Sequence, residues 1–115
     1  MFGVPYLPVP APDHWLRDEE RLTIGNVTGK VIHTPGHTPG SLCFYFEAEQ
    51  VLLSGDTLFR GSIGRTDLWG GDLRAIENSI RERLYSLDSS TRVVTGHGPE
   101  TLIGFEQANN AFFSV

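Results

Sequence analysis

A single cysteine, Cys43, in 115 residues excludes an internal disulfide and, with it, any cysteine-rich zinc module. Its apolar neighbours, Leu42 and Phe44, mark it as a buried packing residue rather than a nucleophile. Basic residues are also few. Nine Lys and Arg stand against 14 Asp and Glu, a net charge of −5, and they form no cluster that could grip a phosphate backbone. Nucleic acid is therefore not an expected partner. Long apolar runs are missing: Leu42–Phe46 is the longest, far short of the ~20 residues that span a bilayer. The N-terminus has neither the basic start nor the apolar stretch of a secretory signal, so a cytoplasmic protein with no membrane partner is expected. No internal repeat, low-complexity tract or second domain is evident.

With 39% hydrophobic residues the chain can build a core, and one domain of this size buries roughly two thirds of its unfolded surface. The reading is a single partial domain over 1–115 opened by an extended, proline-rich lead-in over 1–20. Pro5, Pro8, Pro10 and Pro12 stop any helix or central strand there. β-type runs follow at Leu22–Ile24, Lys30–His33, Ser41–Phe46 and Val51–Ser54. Leu42–Phe46 does not alternate with polar residues, which predicts a strand covered on both faces in a layered α/β architecture. Leu73, Ile76, Ile80, Leu84 and Leu87 recur every three or four residues behind Asp72, a helix stripe with its N-cap. A buried strand is expected at Arg92–Thr95 and a short helix between Leu102 and Ala111.

Three polar side chains fall where strands stop: His37 in a Thr-Pro-Gly-His-Thr-Pro-Gly stretch, Asp56 after Ser54-Gly55, and His97 between Gly96 and Gly98. Imidazole and carboxylate hold zinc or a similar first-row ion while leaving it Lewis acidic, and flanking glycines let the backbone come close. Taken singly, a histidine in a Pro-Gly turn is ordinary surface and Gly-Asp an ordinary turn pair. His33 lies four residues before His37, but Pro35 and Gly36 prevent the helix that would align them, so His33 is structural. His14, beside Trp15, is expected at the surface.

The ordered set Val31–Ser41, Leu53–Phe59 and Gly96–Glu100, with Gly61–Asp67 and the tail Glu100–Phe113, resembles the metallo-β-lactamase superfamily, in its glyoxalase II-like branch. The resemblance implies half of an αββα sandwich: a mostly antiparallel or mixed sheet with flanking helices and a metal site at one edge. It implies His37 as ligand of a first metal, His97 of a second, and Asp56 as the carboxylate bridging them. Zinc is the expected ion, with iron or manganese acceptable to the same donors. Arg65 matches a basic position that contacts the glutathione part of the substrate; the alternative is an ion pair with Asp67. Glu100 and Arg60 stay unassigned. The implied chemistry is metal-dependent hydrolysis of a hydroxyacylglutathione-type thioester. A persulfide dioxygenase-like iron enzyme is the second reading, since that group shares Gly64-Arg65-Thr66-Asp67.

The superfamily's earlier signature, His-x-His-x-Asp-His, is absent from these 115 residues: no two of the four histidines are one residue apart. The sequence thus reads as the C-terminal half of the fold, a truncated product, a fragment or one half of a split arrangement. Each metal would keep at most two protein ligands where catalytic zinc normally has three, so weak occupancy is expected. Sheet residues such as Leu42, Phe44, Phe46, Leu52 and Val93 would be partly wet on one face or the other. At ~25 cal/mol per Å² of apolar surface this favours self-association or a chain that supplies the missing half. For the isolated chain, a non-catalytic module or weak metal binder is the third reading.

Overall fold

A computed structural model describes residues 16–67 and 70–115, apart from the side chain of Ile24. His14 and most of the proline-rich lead-in lie outside the described residues. Strands β1 (Arg21–Ile24) and β2 (Val27–His33) form a hairpin, β3 (Leu42–Phe46) and β4 (Val51–Gly55) a second. A small hairpin of β5 (Leu58–Phe59) and β6 (Ser62–Ile63) follows. Helix α1 (Leu73–Asn78) runs into a π-helical segment, Ser79–Leu84. The chain closes with β7 (Arg92–Thr95), β8 (Thr101–Leu102) and α2 (Ile103–Asn109).

The main sheet is six-stranded and mixed, in the order β1-β2-β3-β4-β7-β8. All neighbours are antiparallel except β4 and β7, and a parallel pair requires a long crossover, here the helical segment between them. Because β3 is antiparallel to both β2 and β4, the strands β2, β4 and β7 run in one direction. Their C-terminal ends therefore share one edge of the sheet. No helix among the described residues is long and apolar enough to cross a membrane.

Alternation sorts the strand residues onto two faces. Tyr45, Leu52 and Val93 lie side by side, join Ile32 and Cys43, and are buried with Ile76, Ile80, Leu84 and Ile103 of the helical layer. The opposite face carries Leu42, Phe44, Phe46 and Leu53, and it is only half-covered, with Leu53 38% exposed. The expectation that β3 is covered on both faces is corrected here: one face is sealed by helices and the other is partly open. Leu52 and Val93, expected to be partly wet, point into the helical layer and are fully buried.

The predicted 72–87 helix forms, but not as a uniform α-helix. Asp72 caps it as read, its carboxylate accepting from the Ala75 N–H at 3.1 Å. From Ser79 onward the backbone widens, and the Tyr85 N–H bonds to the Ile80 carbonyl at 2.8 Å. Ile76, Ile80 and Leu84 make the stripe that packs on the sheet; Leu73, also read as core, is 55% exposed on the first turn.

Candidate metal site

Three strand ends and one hairpin build this site. β2 delivers the loop that carries His37. That loop is closed by Thr34 N–H to the Ser41 carbonyl (2.9 Å) and tied to α1 by Asp72 N–H to the Gly36 carbonyl (2.7 Å). The Ser79 hydroxyl, where the π-helical segment begins, adds a bond to the Pro35 carbonyl at 2.8 Å. Gly36 sits at φ +148° with its α-carbon against Ile76: a Cβ there would lie 2.2 Å from the Ile76 Cβ, so only glycine fits. β4 ends in an irregular register between Leu53 and Gly55, and Gly55 at φ +53° turns the chain so that Asp56 leaves the sheet at the same edge. β7 ends one residue before Gly96 and brings His97 alongside.

The Asp56 carboxylate is thereby set between two imidazoles. His37 Nε2 lies 3.8 Å from Oδ2, and His97 Nδ1 lies 3.3 Å from Oδ1. His37 is the more enclosed of the two rings, with its side chain 23% exposed against 81% for His97. His37 Nδ1 is 2.8 Å from the Arg65 carbonyl, which can only accept, so Nδ1 carries a proton and Nε2 is the nitrogen turned toward Asp56. A carbonyl on the far nitrogen is the usual way a ligating imidazole is oriented. Gly96 makes the close approach possible: a Cβ there would stand 2.7 Å from Asp56 Oδ1 and 2.9 Å from the Gly55 carbonyl oxygen. Gly64 has the same role on the other side, where a Cβ would lie 1.8 Å from the Asp56 carbonyl oxygen. The Phe59 ring leans on His97, centroids 6.1 Å apart.

The floor beneath is polar and internally satisfied. Thr34 and Thr57 hydroxyls are 3.1 Å apart, Cys43 Sγ lies 3.4 Å from the Thr34 hydroxyl, and the Ser54 hydroxyl donates to the Leu58 carbonyl at 2.8 Å. Burial pushes the Cys43 thiol above its ordinary pKa, so it is a packing group, in keeping with its apolar neighbours in the sequence.

The remaining residues singled out from the sequence fall elsewhere. His33 Nε2 bonds the Pro39 carbonyl at 2.9 Å and serves the loop rather than the centre. The Arg65 guanidinium makes a two-pronged pair with Asp67, at 2.9 and 3.1 Å, so only its carbonyl reaches His37. Glu100 pairs with Arg92, and Arg60 lies over the Phe105 ring. Sequence reasoning missed β5, β6 and β8, and also Glu106, a carboxylate with no exposure at all. The available signal was its spacing: Ile103, Glu106 and the capping residue Asn110 fall on one stripe along α2, so an acidic residue sits where the helix is buried.

The donors suit a first-row metal. Two ligand atoms bound at about 2.0–2.2 Å with a tetrahedral angle lie about 3.4 Å apart, and the 3.3 and 3.8 Å separations bracket that value. Each imidazole faces one oxygen of the Asp56 carboxylate. No group of three His, Cys, Asp or Glu side chains among the described residues is placed to hold a single ion.

Comparison with known proteins gives the family of this fold. The metallo-beta-lactamase superfamily model matches residues 2–97. Hydroxyacylglutathione hydrolase GloC of Haemophilus influenzae is 39% identical over 114 residues, which are 98% of this chain and 54% of GloC. Among solved structures, TTHA1623 in a di-iron-bound form superposes with a TM-score of 0.81 at 45% identity, over 90% of this chain and 50% of that one. ETHE1 from Myxococcus xanthus gives a TM-score of 0.79 at 28% identity, over 84% of this chain and 44% of its own. The chain spans about half the length of the curated relatives it matches. With a mixed sheet, helices on one face and strand ends gathered at one edge, the chain belongs to the metallo-β-lactamase superfamily and carries about half of that fold.

Proposed function

We propose that this chain supplies one half of the metal site of a hydrolase, with His37 on one ion, His97 on a second and Asp56 shared between them. The substrate class we assign is a hydroxyacylglutathione-type thioester. One observation carries this reading: a single carboxylate turns one oxygen toward each of two imidazoles. The 39% identity to GloC supports the substrate class. When bound, the metals of such a site lower the pKa of a water and polarise the carbonyl it attacks. The chain's own part is to hold the donors: the Arg65 carbonyl keeps the Nδ1 proton of His37, and Gly64 and Gly96 leave room for Asp56. The Arg65 guanidinium stands at the exposed rim and would meet an acidic group of the substrate in exchange for Asp67.

With two donors per ion, the 115 residues alone bind zinc weakly and turn over little. The test is thioester loss from S-lactoylglutathione, followed with the chain alone and with the N-terminal half of GloC added as a separate polypeptide. Zinc-dependent thiol release is expected only in the mixture. A normal enzymatic rate by the chain alone would refute the need for a second half. The persulfide dioxygenase-like reading draws on Gly64–Asp67, on the likeness to ETHE1 and on the iron in TTHA1623. Oxygen uptake with glutathione persulfide, and no thioester cleavage, would establish it instead.

A further inference from the structure

The β5–β6 hairpin touches every proposed ligand. Asp56 stands at its entrance, Phe59 of β5 packs against the His97 ring, and the Arg65 carbonyl just past β6 holds His37 Nδ1. Its two arms are laced by the Gly64 N–H to the Thr57 carbonyl at 3.0 Å. A two-residue strand pair of this kind has little stability of its own, so its position must be set from outside. The far end of the hairpin is gripped by α2. Glu106, completely buried, accepts from the Gly61 N–H at 3.0 and 3.2 Å, from the Thr101 hydroxyl at 2.6 Å and from the Asn110 amide at 2.7 Å. That same amide donates to the Ser62 carbonyl at 3.1 Å, and the Ala111 N–H reaches the Gly61 carbonyl at 3.3 Å.

A buried carboxylate is costly unless every acceptor lobe is used, and here the donors come from three separate segments. An apolar residue would pack α2 equally well, yet it could not hold a backbone N–H of the hairpin tip. We infer that Glu106 is a positioning residue: it fixes the tip of the β5–β6 hairpin and so sets Asp56, Phe59 and the Arg65 carbonyl relative to His37 and His97. The inference rests on the reading that His37, Asp56 and His97 hold metal.

The test uses the full 115-residue chain and Glu106→Gln, which keeps volume but turns an amide NH₂ toward donors. Thr101→Val, which removes one donor without adding a clash, serves as the milder second variant. Leu84→Ala, a core change in the helical layer, controls for stability alone. Two readouts are taken: the cobalt(II) dissociation constant from visible absorption, and the tautomer of His37 from imidazole ¹⁵N shifts without metal. Glu106→Gln is expected to weaken cobalt about tenfold or more and to lose the pure Nδ1–H tautomer. Thr101→Val should move both the same way by less, and Leu84→Ala neither. Unchanged cobalt affinity and tautomer in both Glu106→Gln and Thr101→Val would overturn the positioning role while leaving the metal site intact. If the unaltered chain takes up no cobalt, two donors per ion are too few without the second half, and the His37 tautomer alone decides whether Glu106 orients that ring. Should Glu106→Gln not fold, Thr101→Val decides by itself.

Discussion

Gly96→Ala separates the need for space beside Asp56 from an ordinary loss of stability. The new methyl would lie 2.7 Å from Asp56 Oδ1, 2.9 Å from the Gly55 carbonyl oxygen and 3.1 Å from its carbon. Carbon and oxygen ordinarily meet no closer than roughly 3.3 Å, so the carboxylate must retreat by about 0.6 Å and the two strand ends must part by about 0.4 Å at the Gly55 carbonyl. Overpacking of this kind costs about 1–3 kcal/mol, offset by about 0.4–1 kcal/mol because alanine restricts the unfolded chain more than glycine. A net loss of about 1–2 kcal/mol is expected by urea denaturation. Gly25→Ala is the matched control: at φ +63° it strains the backbone in the β1–β2 turn by roughly 1–2 kcal/mol, but nothing lies within 4 Å of its Cβ position. The two variants should therefore lose similar stability, yet only Gly96→Ala should weaken zinc, by about tenfold. Equal zinc affinity in the two variants would refute the argument that Gly96 is there for Asp56.

Other outcomes follow from the same structure. Arg65→Ala removes an exposed guanidinium but leaves the carbonyl on His37, so zinc content and the unfolding midpoint should not change, while the Michaelis constant of a completed enzyme should rise; loss of zinc by dialysis would contradict this. The Arg83 guanidinium holds the Asp18 carboxyl below its usual range, so the pair stabilises the fold above pH about 4 and that contribution is lost as pH falls through the lowered value. Because Asp18 is 42% exposed the effect is well under about 1 kcal/mol, visible as an acid slope in urea midpoints that Arg83→Met flattens; an unchanged slope would count against the pair. Cys43, buried and with its pKa raised, should react with a thiol reagent only after urea unfolding, and rapid native labelling would contradict its place in the floor.

The fold was legible wherever one physical pattern acted alone. The apolar stripe of Ile76, Ile80 and Leu84 and the cap at Asp72 define their helix from spacing, and the β-branched and aromatic runs mark β2, β3, β4 and β7 to within a few residues. Spacing could not reveal the π-helical widening, which begins at Ser79, where the hydroxyl bonds the carbonyl of Pro35, 44 residues away. Strands β5, β6 and β8 are two residues each, too short to show any alternation. The covering of the sheet was misread because Leu42–Phe46 is uniformly apolar, although its faces end in different surroundings. At the candidate site, Asp56, His37 and His97 were picked out by residue type and by their place after strands, and the parallel run of β2, β4 and β7 brings them together. The Arg65 carbonyl was invisible to a reading of side chains, since the backbone atom reaches His37 while the guanidinium turns to Asp67. Glu106 was missed because its donors come from Gly61, Thr101 and Asn110, which only the folded chain assembles.

If one carboxylate serves two metal positions, zinc titration by equilibrium dialysis must separate four proteins: the unaltered chain, Asp56→Ala, His37→Ala and His97→Ala. Each histidine variant should retain part of the bound zinc and Asp56→Ala the least, because it alone strips a donor from both positions. Zinc content in Asp56→Ala equal to that of the unaltered chain would contradict it.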